Sequence, residues 1–304
     1  MLSVFYQVLI QPIDVRLRKK GIKNITFIPH HKIHLIPLHA LHNSGCYVIG
    51  DYTVNYSPSF SILNLCTQSK KHEAKFDQIL IIANPDNSLA YAEVEARQIS
   101  SLFKESRILT QDADPFTVLS SIGDYHCIHF SCHGSFREDS TLKVGLRLAA
   151  TQNHTGFLSL NQIVSEAKLP IGSTVVLSCC DSIRTVLQET DEFIGLPNAF
   201  LIARASNVIG SLWSIDDLST TLLMMQFYEK IKQGETHEAA LRQAQIWLLS
   251  ITRKDLFTWI SENQSFLDPT LKVYLQRLLH AIPSDDVHPF QSPFYWAAFC
   301  SIGQ

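Results

Sequence analysis

Two segments of this 304-residue chain finish on side chains that could do covalent chemistry together. Residues 125–134, YHCIHFSCHG, are an apolar run ending in His133 and Gly134. Residues 173–181, STVVLSCCD, are a second such run, ending around Cys180. A thiol at its ordinary pKa is only a few per cent thiolate at neutral pH, so a nucleophilic cysteine needs a base or a cation beside it. Imidazole titrates in the right range to accept the thiol proton and later to protonate a leaving amine. Gly134 carries no side chain to block an approaching backbone. Its N–H and that of Cys180 are candidates to hold the oxyanion of a tetrahedral intermediate. Such chemistry needs neither a metal nor a cofactor.

Residue types alone leave Cys180 open between nucleophile and buried strand thiol, because free cysteine is among the most buried residue types. Alternation along a strand points the adjacent Cys179 away from Cys180 and into the sheet packing. His126 and His129 read as core or surface histidines of the same run. The cluster His30, His31, His34, His39 and His42 lacks the cysteine or carboxylate pattern of a metal site, so no metal is expected.

The elements that must position these groups read as an α/β sheet. Residues 78–85, 125–134, 173–181 and 206–213 are short, continuous apolar runs, the mark of strands covered on both faces. Between them, residues 90–103, 116–122 and 194–205 have helical spacing. Residues 217–233 and 236–249 read as amphipathic helices, residues 250–290 as helix plus loop, and residues 294–303 as a final strand. Alternating strands and helices predict a mostly parallel sheet with helices on both sides. Upstream, residues 2–19 are helical in period but interrupted by Pro12, and residues 25–41 and 51–59 each contain a strand. The Lys-rich stretch 67–77 is the natural linker. The expected organisation is an N-terminal lobe over 1–75 and a catalytic lobe over 76–304. In an open α/β sheet, function gathers beyond the carboxyl ends of the strands, where His133 and Cys180 lie.

Composition excludes several classes. Hydrophobic residues make up 46% and charged residues 17%, which supplies ample core. A net charge of −3 gives no electrostatic case for nucleic acid or an anionic membrane. No uncharged run approaches bilayer length, and the start lacks a basic leader. Seven irregularly spaced cysteines suit reduced thiols in a cytoplasm better than a secreted disulfide framework.

His133 precedes Cys180 by 47 residues, close to the roughly 50 of caspase-type sites. Several further segments extend this likeness. They are FIPHHKIHLIPLHAL followed by YSPS, IIANPD followed by AEVEA, HFSCHG, VVLSCCDS, DEFIGLPNAFLIARASNVIGSLWSIDD, FYEKIKQGETHEAALRQAQ and SPFYWAAFCSIG. In order and spacing they resemble the CHAT domain, a caspase-like peptidase family often linked to tetratricopeptide repeats and distantly similar to separase. The resemblance covers nearly the whole chain. It implies a caspase-like three-layer sandwich and a cysteine endopeptidase with His133 as base and Cys180 as nucleophile. Cys179 stands where the family usually has Ala, and Ile183 where it has Gly. These departures keep open a second reading, a catalytically silent CHAT module used in signalling or scaffolding.

The resemblance also implies a substrate pocket. In SLWSIDD, Trp213 would line it, and Asp217 or Asp216 would pair with a substrate Arg or Lys by a charge-assisted bond. The competing role for Asp216 and Asp217 is capping the next helix. Asp86 is a further pocket candidate, and Glu192 would order the loop after the nucleophile or cap a helix. Relatives imply a protein or peptide substrate and a regulatory partner or tetratricopeptide-type sensor.

Overall fold

The computed structural model describes residues 1–69, 77–135, 144–152, 154–179, 182, 186–187 and 193–304. Eight strands form the central sheet: β1 Asn24–Phe27, β2 Thr53–Tyr56, β3 Gln78–Ala83, β4 Glu105–Leu109, β5 Cys127–Ser131, β6 Ser173–Leu177, β7 Ala205–Ser211 and β8 Phe299–Gly303. Their spatial order is β1-β2-β8-β7-β6-β5-β3-β4. All neighbours are parallel except β7 and β8.

The apolar runs behave as their composition dictates. Every residue of β5, β6 and β7 is buried, because helices cover both faces. Alternation sorts their side chains into two cores. Ile128, Phe130, Val175 and Leu177 face one, packed with helix Leu196–Ile202, and Cys132 and Cys179 belong to that core too. Cys127 and Val176 face the other, packed with helices Ala90–Ser100, Asp217–Lys232 and His237–Ser250. The result is a three-layer sandwich. β5 and β6 lie side by side at its centre, with His129 opposite Val176 and Phe130 opposite Leu177.

Some elements differ from the pattern reading. Of residues 294–303, only Phe299–Gly303 is strand; Pro293–Trp296 is a helical turn, started by Pro293 and capped by Ser292. Helix Asp217–Lys232 is buried all round from Ser219 to Tyr228, not on one face, because it lies between the sheet and other helices. Edge strand β4 carries exposed Glu105, Ser106 and Arg107, so it shows no apolar run. Residues 253–281 hold two full helices. They are Arg253–Glu262, begun by a Thr252–Asp255 capping box, and Pro269–Ala281, capped by Asp268. A small antiparallel sheet joins Gly134–Ser135, Gly145–Arg147 and Phe157–Ser159. Strands β1 and β2, from the first 75 residues, belong to the central sheet through β8. The expected linker begins inside helix Phe60–Ser69, and residues 70–76 lie outside the described residues. Among the described residues no helix is long and apolar enough to cross a membrane.

At the β2–β8 junction, His39 is buried with its Nδ1 2.8 Å from the Tyr56 hydroxyl. Burial pushes its pKa down from 6.5 to about 4, against a smaller upward pull from the Ala297 backbone. Between those values the unfolded chain binds a proton that the folded chain does not. Stability is therefore lost as pH falls below about 6.5. Urea unfolding at pH 7.5 and 4.5 should show the wild type losing about 2–3 kcal/mol more on acidification than His39→Gln. Equal losses would remove His39 as the cause.

Candidate active site

His133 lies two residues beyond β5 and is held from two sides. The Ser131 carbonyl accepts from Asn84 N–H at 3.0 Å, tying the strand to the turn after β3. The His133 carbonyl accepts from Arg147 N–H at 2.9 Å, tying it to the small sheet. Its ring is half-buried, with Nε2 2.9 Å from Ser88 Oγ. Ser88 Oγ in turn donates to Asp86 Oδ1 at 2.6 Å.

Cys180, the expected nucleophile, lies outside the described residues, as do Asp181, Ile183 and Glu192. The residues flanking it are anchored. The Cys179 carbonyl accepts from Ser211 Oγ at 2.6 Å. Ser182 Oγ donates to the Leu177 carbonyl at 3.2 Å and accepts from Ser211 N–H at 2.7 Å. Cys179 is buried in the apolar core on the helix Leu196–Ile202 side, as alternation requires.

Beneath both strand ends lies Glu95, from helix Ala90–Ser100, only 4% exposed. It accepts from Ser131 Oγ at 2.6 Å and from Ser178 Oγ at 2.8 Å. Ser131 stands two residues before His133 and Ser178 two before Cys180, so one carboxylate spans both strands. His129 Nε2 lies 3.4 Å from the same group, and its Nδ1 is 3.0 Å from the Tyr228 hydroxyl. A buried carboxylate is costly unless hydrogen-bonded, and this one has donors from two strands.

A cavity of about 190 Å³ opens over this point, lined by Ser88, Tyr91, Glu95, His133, Ser178 and Asp217 among others. Its described lining contains no Lys or Arg. Burial raises the Asp217 carboxyl above its usual value, and the charges of Glu95 and Asp216 raise it further. The two acids of IDD divide their tasks. Asp216 caps helix Asp217–Lys232, accepting from Ser219 N–H at 2.9 Å, and is not in the cavity wall. Asp217 is in the wall. Trp213 donates from Nε1 to the Phe294 carbonyl at 3.1 Å and does not line this cavity. Asp86 lines a neighbouring cavity of about 560 Å³ with Ser135 and Arg147.

Sequence reasoning missed Glu95, Ser88, Ser131, Ser178, Ser182 and Ser211. One signal was present: Ser-Cys precedes both His133 and Cys180, placing a hydroxyl at the same offset on each strand.

A family profile described as the CHAT domain matches residues 1–304. The chain belongs to the CHAT domain family. Solved structures similar to this CHAT domain include Saccharomyces cerevisiae separase in complex with securin, with a TM-score of 0.52 at 14% identity. That match covers 98% of this chain but 17% of the separase chain. Gingipain R, described as an Arg-specific cysteine proteinase, matches with a TM-score of 0.52 at 11% identity, covering 97% of this chain and 66% of its own. Porphyromonas gingivalis gingipain, in a complex of its pro- and mature domains, matches with a TM-score of 0.52 at 11% identity, covering 97% and 67%. No curated protein matches the chain. The CHAT domain thus has the caspase-like α/β fold expected from its sequence, with a large, mostly parallel central sheet.

Glu95 is expected to be a stability element as well as a site residue. Glu95→Ala should cost about 2–4 kcal/mol in urea unfolding, because it frees two buried hydroxyls from a charged acceptor. A loss below about 1 kcal/mol would show that the strand ends do not depend on it.

Proposed function

We propose that this CHAT domain is a cysteine endopeptidase that cuts proteins after Arg or Lys, with Cys180 as nucleophile and His133 as base. The observation that carries the reading is the cavity in which His133 meets two carboxylates, Glu95 and Asp217, with no cation in its described wall. Such a pocket is complementary to a guanidinium or ammonium group and repels an acidic side chain. Gingipain R, an Arg-specific cysteine proteinase, agrees with this preference, on a shared fold.

The reaction runs in two halves. His133 takes the Cys180 proton, and the thiolate attacks the scissile carbonyl carbon. The oxyanion is held by the N–H groups of Gly134 and Cys180. Because His133 and Arg147 form the hydrogen-bonded pair of the small antiparallel sheet, the Gly134 N–H turns away from that ladder. His133 then gives its proton to the leaving amine, and a thioester remains. Water, deprotonated by His133, releases the acyl group and restores the thiol. Alternation favours Cys180 as the sulfur, since Cys179 packs into the core, although it also lines one side of the cavity. Asp217 binds the substrate cation. We retain a lobe over 1–75 and a catalytic lobe over 76–304 as the working division. The separase–securin complex supports a protein partner for this chain.

A peptide-library cleavage profile tests the reading. Cuts after Arg or Lys should vanish in Cys180→Ala and persist in Cys179→Ala. Asp217→Asn should raise KM for Arg substrates about 10–100-fold, the value of a charge-assisted bond. Because the Asp217 carboxyl is raised, KM should begin to climb on acidification above the ordinary carboxylate range. A preference for acidic residues before the cut would overturn the pocket assignment. No cleavage under any activating condition would favour a silent scaffolding module.

A further inference from the structure

We propose that Ser88 and Asp86 are positioning residues that fix the tautomer of His133, leaving Nδ1 as the nitrogen that accepts the thiol proton. The inference rests on the peptidase reading for its purpose, but its geometry stands apart from it. Ser88 has one hydroxyl proton. Asp86 Oδ1, 2.6 Å away, is an acceptor only, and it also takes the Ser88 N–H at 3.3 Å. The hydroxyl proton therefore points to Asp86, since the opposite arrangement would press lone pair against lone pair. The Ser88 oxygen then presents its own lone pairs to His133 Nε2 at 2.9 Å. Nε2 must carry the hydrogen, and in the neutral ring Nδ1 is bare.

The turn that carries Ser88 is built to hold it there. Asn84 and Asn87 both sit in the left-handed region, φ 49° and 56°, which asparagine tolerates better than most residues. The Asn84 side chain accepts from Leu89 N–H at 2.6 Å and donates to Glu93 at 2.9 Å. Its backbone N–H binds the Ser131 carbonyl, two residues before the imidazole. The turn and the base thus share one anchor. When His133 takes the thiol proton, the new positive charge lies one hydroxyl away from the Asp86 carboxylate. Glu95 and Asp217 also face the imidazole across the cavity, while Arg147 meets its backbone. Of these charged groups, only Asp86 acts through a hydrogen-bonded path to Nε2.

Ser88 is exposed, so Ser88→Ala should fold. Nitrogen-15 NMR of the His133 ring in the full chain should show the Nε2–H tautomer in the wild type and a mixture in Ser88→Ala. Ser88→Thr should restore the wild-type signal. With an Arg peptide, Ser88→Ala should lower kcat at least about tenfold while KM stays within about twofold, since the base is misdirected while both carboxylates of the pocket are kept. Asp86→Asn should act in the same direction. An Nδ1–H tautomer in the wild type, or an unchanged spectrum in Ser88→Ala, overturns the inference. Absence of peptide cleavage in the wild type would count against the peptidase reading alone, because the spectra decide the tautomer without turnover.

Discussion

Glu95 is the point on which the rest of this site hangs. Two parallel strands can run side by side and still splay where their ladder ends, because the last backbone groups have no partner beyond. Here the ladder stops at Phe130 and Leu177. One residue further on, Ser131 and Ser178 turn to the same carboxylate, which replaces the lost backbone pairing with two charge-assisted bonds. The strands therefore stay in register up to the segments that carry His133 and Cys180. The same carboxylate lines the cavity, so its charge ties the strands below and, in the proposed peptidase, would serve recognition above.

Other hydroxyls extend this logic outward from the sheet. Ser211, at the end of β7, grips the Cys179 carbonyl, and Ser182 reaches back to Leu177. Ser88 meets His133 from the turn after β3. Four consecutive neighbours in the sheet, β3, β5, β6 and β7, thus each deliver a short polar contact at their carboxyl ends. Serines suit the task because they reach only one hydrogen bond's length and have few rotamers to fix. The carboxylates of Glu95 and Asp217 give the cavity its sign.

The fold was largely readable from the sequence because its central strands must be apolar on both faces. Runs such as STVVL and CIHFS leave little choice of element, and they ended where the reactive residues stood. Strand β4 was not readable, since an edge strand exposes one side and here carries Glu105 and Arg107. The turn at Pro293–Trp296 was misread because Trp296 is buried by tertiary packing, not by strand alternation. In the site, His133 drew notice through its chemistry and Asp217 through family resemblance. Glu95 did not, although it lies in the motif AEVEA. A carboxylate on a helix normally reads as a solvated face, and only the sheet end above it reveals that it is enclosed. The division between Asp216 and Asp217 was likewise set by which one the helix N-terminus claims.

The central claim is that the Cys180 sulfur and the His133 imidazole act as one unit. The pH dependence of Cys180 alkylation by iodoacetamide, followed by peptide mass spectrometry in wild type and His133→Ala, tests this most directly. A paired thiol should react on a plateau extending well below its ordinary pKa of about 8.5, and His133→Ala should return it to an ordinary titration. Identical curves for the two proteins would contradict the account.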